Sequence, residues 1–342
     1  MAGARGVGRM TTPNAAPPPA AGLRLPPVLL PVADDLARLE ACLRDGEGIE
    51  FDLLRQLLDW VFSSGGKRIR PAMVFGAARL GRADPEAVTR LAAAIETLHT
   101  ATLVHDDLVD GAMIRRGMPT LNTRWSAGAT VLAGDWLFAR AARFAADTGH
   151  IRVMQIFARM LGTLTDGELR QMFGRQGIPT REAYAYRIYA KTASLFEAAT
   201  EAAGVLMGAG PDDIDALAAF GRQAGMAFQI VDDILDFTST EARLGKPVGS
   251  DLRGGTVTLP ALIYLDGHPE AAGWWANGSA PDADRVEGVI EAIRGDADVL
   301  AAARDAARAR LAAALDALRT LPAGAARDDL EHIARFAVER DT

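Results

Sequence analysis

Two stretches of the sequence carry the same arrangement of aspartates: Asp106-Asp107-Leu108-Val109-Asp110 and Asp232-Asp233-Ile234-Leu235-Asp236. On a helix the first and fifth residues of such a run face the same way, and the second lies about 100° around the axis. Carboxylates at that spacing repel one another. Both runs also fall late in helical stretches, where the helix dipole disfavours negative charge. A divalent cation removes both penalties. Magnesium prefers oxygen ligands and commonly bridges protein carboxylates to substrate phosphates. One acidic run alone reads as a solvated helix face. Two runs, each in apolar surroundings such as Phe228, Ile230, Val231 and Phe237, point to several Mg2+ ions around one diphosphate. Asp106, Asp107, Asp110, Asp232 and Asp236 are therefore the candidate metal ligands, with Asp233 in the same catalytic set.

A diphosphate also needs cations and N–H donors. Gly65-Gly66-Lys67-Arg68-Ile69-Arg70-Pro71 is a Gly-Gly connector leading into a helix. Glycine lets backbone approach a ligand, the helix start offers free N–H groups, and Lys67 and Arg70 add charge. Arg115 and Arg116 follow the first aspartate run and could supply two further phosphate contacts. His99 lies seven residues before Asp106, two turns along the same helical face. Each basic group taken singly is as readily a solvated turn or a core histidine; together with the aspartates they read as substrate-binding.

These residues need rigid helices to hold them, and the composition supplies them. The chain has 342 residues, 49% of them hydrophobic, and Ala, Leu, Arg and Glu recur while β-branched runs are scarce. An all-α protein with one large helical domain follows. Asp84 caps and Pro85 opens a helix that no breaker interrupts up to Asp110. Further helical runs cover about 128–147, 149–173, 180–208, 212–237, 258–268, 284–295, 298–320 and 325–340. No strand of useful length and no tandem repeat is visible. With 37 basic and 44 acidic residues the net charge is −7 and no basic stripe exists, which argues against nucleic acid as a partner. The one cysteine, Cys42, excludes an intrachain disulfide and reads as a small core hydrophobe. No apolar stretch approaches about 18 residues, so no transmembrane helix is expected and a cytoplasmic location is. Residues 1–30, rich in Ala, Gly and Pro, read as a disordered tail or a transit peptide. Residues 31–342 read as the catalytic domain.

The segments GGKRIRP, LHTATLVHDDLVDGAMIRRGMPTLN, GDWLFARA, KTASLF and FQIVDDILDFTSTEARLGKPVGSDL, in that order, resemble the trans-isoprenyl diphosphate synthase (polyprenyl synthetase) family. The resemblance spans about residues 50–265. It implies the isoprenoid synthase fold, a helical bundle around a central cavity with the two aspartate runs facing across it, and a homodimer. It implies that Lys67, Arg70, His99 and Arg116 bind isopentenyl diphosphate. Arg115, Lys191, Thr192, Gln229 and Lys246 match contacts to the allylic diphosphate or its developing cation, with Lys191 also in the catalytic set. Family members often carry a lysine a few residues after the aspartate equivalent to Asp251; this chain has none there, and Arg253 could substitute.

The implied product is a linear all-trans polyprenyl diphosphate. A tail growing from Asp106 towards Pro85 would run along 21 residues of helix, about 32 Å. Short-chain members tend to place an aromatic floor just before the first aspartate run. Here Leu98, Ala101 and Thr102 stand there, which favours a long product of about seven to ten isoprene units, each near one helical turn in length. Such a product could be passed to a membrane. The alternatives are a farnesyl or geranylgeranyl diphosphate synthase, a terpene cyclase and a non-catalytic partner subunit. The aspartate-rich second run and the Lys67, Arg70, His99 set argue against the cyclase, and the retention of all six aspartates argues against the silent subunit.

Overall fold

The computed structural model describes residues 25–46, 49–63, 65–115, 117–174, 177–241, 247–275 and 281–339. The chain is helical almost throughout. Helices α1 (Ala33–Arg44), α2 (Asp52–Ser63), α3 (Ile69–Ala78) and α4 (Pro85–Val109) lead to a hairpin. Helices α5 (Ala127–Ala146), α6 (Ile151–Phe173), α7 (Arg181–Ile188), α8 (Ser194–Leu206) and α9 (Pro211–Thr238) follow. Among the described residues strand is confined to that hairpin, Ile114–Arg115 against Met118–Pro119. The remaining helices are α10 (Ser250–Arg253), α11 (Leu259–Gly267), α12 (Pro269–Gly273), α13 (Ala283–Gly295), α14 (Ala297–Arg319) and α15 (Ala325–Val338).

The long helices that carry the aspartates are the frame. Asp84 accepts from the backbone N–H groups of Glu86 and Ala87, with Pro85 at the first helical position, so α4 starts where the sequence places it. Helix α4 packs along α5, and α9 along α14. Helix α8 lies between them, in contact with α3, α4 and α9. Its residues from Ser194 to Val205 are all buried, and its two buried carboxylates, Glu197 and Glu201, are paired with Arg222 and Arg159. Gly134 of α5 leaves the space that the His105 imidazole of α4 occupies.

Three expectations change. The run 180–208 is not one helix. A π turn, Tyr189–Ala193, separates α7 from α8, and such turns are frequent at functional sites. Short helices α10 and α12 occupy two stretches expected as connectors. The expected tail, residues 1–30, overlaps the packed body: Pro27–Val32 form a 3-10 turn that seats Leu29 and Val32 in the core. Residues 1–24 lie outside the described residues. Among the described residues no helix is long and apolar enough to cross a membrane.

Candidate active site

The π turn brings the two aspartate runs into one neighbourhood. Lys191 and Thr192 are consecutive, yet they reach different helices. Lys191 Nζ stands 3.4 Å from Asp106 Oδ2 on α4 and 3.0 Å from Glu168 Oε1 on α6. Thr192 donates its hydroxyl proton to Gln229 Oε1 on α9 at 2.6 Å, and Gln229 Nε2 donates to Asp233 Oδ1 at 2.9 Å. The turn is pinched between two glycines. A Cβ at Gly167 of α6 would lie 2.5 Å from Ala190 Cβ, and one at Gly225 of α9 would lie 2.6 Å from Ala193 Cα. Close contact on both sides, with the Ala190 methyl at Gly167 and with backbone at Gly225, fixes the course of the turn that carries Lys191 and Thr192.

Each aspartate run divides its carboxylates between accessible positions and the protein interior. Asp106 is half-buried and Asp110 exposed, whereas Asp107 is buried and accepts from Arg115 Nε at 2.6 Å. Asp232 is half-buried, while Asp233 and Asp236 are 3% and 2% exposed. Asp233 accepts from Tyr184 Oη at 2.7 Å as well as from Gln229. Asp236 accepts from Ser250 Oγ at 2.9 Å and from the Asp251 N–H at 3.1 Å, tying α9 to α10. Asp107 and Asp236, two of the expected metal ligands, thus have internal partners, and the first and fifth positions of a run are not equivalent in α9. Arg115, expected to meet the allylic diphosphate, is turned to Asp107.

The electrostatics favour a cation. Burial pushes the Asp107 carboxyl up, against the pull of Arg115, and Asp106 and Asp110 push it further. Burial raises the Asp233 carboxyl to about 7, although Gln229 and Tyr184 donate to it. Burial works against the Lys191 ammonium, but Asp106 and Glu168 outweigh it and hold its pKa above the usual lysine range. Among the described residues no three His, Cys, Asp or Glu side chains already close around a common point. Magnesium does not require that, since it keeps waters and takes one or two carboxylates plus substrate phosphates. The Lys191 ammonium, lodged between two carboxylates, shows that this place accepts a cation. The donor set, hard carboxylate oxygens of Asp106, Asp110 and Asp232 that keep access to solvent, fits the metal.

The basic side is built on Arg68. It is the only residue other than glycine with a left-handed backbone among the described residues, at φ 51°. It is buried between Glu40 of α1 at 2.5 Å and Glu96 of α4 at 2.6 Å. That ion triad anchors the connector so that Lys67 is exposed and Arg70 enters the first turn of α3. The Arg70 guanidinium lies over the rings of Phe196 and Phe228, 5.0 and 5.8 Å from their centroids, which places it beside α8 and α9. His99 is half-buried on α4. Arg116 and Lys246 lie outside the described residues. Arg253 is committed to Glu287 of α13 through contacts of 2.7 to 3.0 Å and does not hang free for a substrate.

The expected tail route is shorter than its helix. On α4, His99, Thr102 and Asp106 are half-buried, but every residue from Leu91 to Leu98 is buried, and Leu98 and Ala101 are 0% exposed. The part of α4 that keeps half-buried residues, from Asp106 back to His99, is seven residues long, about 10 Å or two turns. Small residues towards Pro85 serve here as close packing against α1, α3, α5 and α8.

Sequence reasoning missed Glu168, Tyr184, Ser250 and the Arg68 triad. Glu96 was a usable signal, since a carboxylate inside the apolar stretch LAAAIETL requires a buried partner. Glu168 and Tyr184 carry no local signal, because their partners come from other helices.

Two acid-bearing helices of an all-helical bundle, linked through the turn that carries Lys191 and Thr192, mark the protein as a helical enzyme with a cation-accepting acidic site. The chain belongs to the polyprenyl synthetase family, whose model matches residues 51–293. It is 38% identical over 312 residues to the heptaprenyl diphosphate synthase component 2 of Geobacillus stearothermophilus, covering 91% of this chain and 97% of that one. It is 36% identical over 313 residues to the octaprenyl diphosphate synthase of Escherichia coli, covering 90% and 97%. Its fold matches the crystal structure of heptaprenyl diphosphate synthase from Staphylococcus aureus with a TM-score of 0.85 at 33% identity, over 90% of this chain and 98% of that one. The structure of a polyprenyl synthase from Caulobacter crescentus, complexed with calcium and isoprenyl diphosphate, matches with a TM-score of 0.80 at 35% identity, over 92% and 97%.

Proposed function

We propose that the chain condenses isopentenyl diphosphate with an allylic diphosphate to give a long, linear, all-trans polyprenyl diphosphate. One observation carries this reading: the consecutive residues Lys191 and Thr192 touch the first aspartate run and the partners of the second. Both runs therefore serve one leaving group. The relatives named as heptaprenyl and octaprenyl diphosphate synthases support the long product.

The allylic C–O bond breaks, the double bond of isopentenyl diphosphate supplies the electrons of the new C–C bond, and a proton leaves to the released diphosphate. Asp106, Asp110 and Asp232 would hold Mg2+, which when bound neutralises the charge of the departing diphosphate. Asp107 and Asp236 brace those positions from inside, with Asp233. Lys191 exchanges its carboxylate partners for diphosphate oxygens, placing a cation where negative charge develops. Arg115, and Lys246 with it, contacts the same group. Lys67, Arg70, His99 and Arg116 bind isopentenyl diphosphate. Thr192 and Gln229 present oxygen dipoles to the allylic cation. Apolar neighbours such as Phe228 and Ile234 keep water from quenching it. Each added unit needs about one more turn, roughly 5 Å, so a product of seven or more units grows past Leu98 and Ala101 by displacing that packed floor.

We assign the active form as a homodimer in the cytoplasm. The exposed Val131 and Leu132 of α5 and Ile151 of α6 support a partner surface, and two water-borne diphosphate substrates suit that compartment. Incubation of the purified chain with Mg2+, isopentenyl diphosphate and farnesyl diphosphate, followed by mass spectrometry, tests the function. A ladder of linear prenyl diphosphates is expected, and Asp106→Ala or Asp232→Ala lowers turnover by about two orders of magnitude or more with unchanged helical circular dichroism. A cyclic hydrocarbon, or near-normal turnover in either variant, rejects the reading.

A further inference from the structure

Helix α9 presents Gly221, Gly225, Gln229 and Asp233 at four-residue spacing, so they form one stripe. The two glycines meet backbone of α8 and the π turn. The next two positions meet side chains and start a chain of hydrogen bonds. Tyr184 Oη donates to Asp233 Oδ2 at 2.7 Å, Gln229 Nε2 donates to Asp233 Oδ1 at 2.9 Å, and Thr192 Oγ1 donates to Gln229 Oε1 at 2.6 Å. Tyr184 is 4% exposed, and the Arg187 guanidinium lies 5.5 Å from its ring centroid while donating to the Val257 carbonyl at 2.7 Å. The phenol is held from both ends.

The chain has a direction. Both oxygens of Asp233 accept, one from the Tyr184 hydroxyl and one from the Gln229 amide, and its ionised form has no proton to give back. Gln229 therefore turns its NH2 to Asp233, and its carbonyl is left for Thr192. The reverse amide orientation would set two acceptor oxygens against each other. With the carbonyl fixed, Thr192 donates its only proton to Gln229, and only lone pairs remain on its oxygen. Without the Tyr184 hydroxyl, a buried carboxylate oxygen is left without that donor, which is costly. The Asp233 side chain then rotates or pulls Gln229 with it.

We propose that Tyr184 is a positioning residue for prenyl transfer, fixing through Asp233 and Gln229 the direction in which the Thr192 hydroxyl points. The assignment rests on the prenyl-transfer reading above. Thr192 then meets developing positive charge with oxygen lone pairs rather than a proton. Tyr184 itself touches neither substrate nor reacting atoms; it sits behind the second aspartate run.

The test compares four forms of the full chain: wild type, Tyr184→Phe, Thr192→Val and the double variant, each assayed for kcat and KM with Mg2+ and both diphosphates. Tyr184→Phe is expected to lower kcat about tenfold, with the KM for isopentenyl diphosphate within about twofold of wild type. The double variant is expected to lose little beyond Thr192→Val, because both changes act on one chain. Wild-type kcat in Tyr184→Phe, or losses that multiply in the double variant, overturns the assignment. Should Tyr184→Phe fail to fold, 3-fluorotyrosine at position 184, which keeps the hydroxyl, reports by 19F NMR. Thr192→Val moves that resonance if the chain is coupled, and an unmoved resonance overturns it. A wild-type enzyme that forms no prenyl product refutes the reaction itself; failure of the Tyr184 assignment alone leaves wild-type turnover intact.

Discussion

Gly225→Ala adds one methyl group where α9 crosses the π turn, and its consequences follow from distances. The new Cβ would lie 2.6 Å from Ala193 Cα, 2.9 Å from Ala193 Cβ and 3.0 Å from Phe196 Cβ. Carbon atoms rest at about 3.5–4.0 Å, so the two elements must separate by roughly 1 Å. The first contact is with backbone, which has no rotamer to yield. The separation stretches the Thr192–Gln229 hydrogen bond from 2.6 Å to about 3.6 Å, past the limit for a bond. Overpacking costs about 1–3 kcal/mol, while alanine regains about 1 kcal/mol of helix propensity over glycine. The net loss of about 0–2 kcal/mol lowers Tm by no more than about 8 °C. Activity should suffer far more: a 1 Å displacement of positioning groups costs about a hundredfold in kcat. Radiolabelled isopentenyl diphosphate incorporation, beside a thermal melt of the same preparation, measures both. A folded Gly225→Ala enzyme with kcat within about twofold of wild type would refute the claim that the approach of α9 to the π turn positions the site.

Arg68→Met leaves Glu40 and Glu96 without their buried cation and should destabilise the chain by about 3–5 kcal/mol in urea unfolding; a loss below about 1 kcal/mol would show the triad to be marginal. Ala101→Phe fills the floor beneath the first aspartate run and should shorten the product to about fifteen or twenty carbons, whereas Leu98→Ala should lengthen the ladder; unchanged product lengths on thin-layer chromatography would place the tail elsewhere. Burial pushes the Cys42 thiol up, although Arg90 and Arg140 pull it down. A raised pKa means less thiolate at a given pH, so iodoacetamide should label Cys42 more slowly than a free thiol at pH 8, with its pH midpoint displaced upward. As the only cysteine, it gives an unambiguous readout by mass spectrometry.

The parts of the fold set by local chemistry were legible. Asp84-Pro85 starts α4 in the sequence and in the structure alike, and the aspartate runs announce themselves by spacing. The parts set by approach between distant helices were not. The π turn at Tyr189–Ala193 exists between Gly167 and Gly225, and nothing within YAKTA signals it. Glu168 reads as surface until α6 brings it to Lys191. The carboxylates of one run look alike in the sequence, yet folding leaves Asp106 and Asp232 accessible and gives Asp107, Asp233 and Asp236 internal partners. An Ala-, Gly- and Pro-rich composition suggested a disordered tail up to residue 30, but its last residues, from Pro27, enter the 3-10 turn that buries Leu29 and Val32. Small residues on α4 suggested an open channel, and the same property lets neighbouring helices close over them.

The central claim is that two acidic helices grip one diphosphate through shared divalent ions. Crystals grown with Mn2+ and a non-ionising thio analogue of an allylic diphosphate test it through anomalous scattering. The account predicts manganese peaks at Asp106 and Asp110 and at Asp232, all bonded to oxygens of the same diphosphate. Manganese at one run only, or a diphosphate bound away from Lys191, would contradict it.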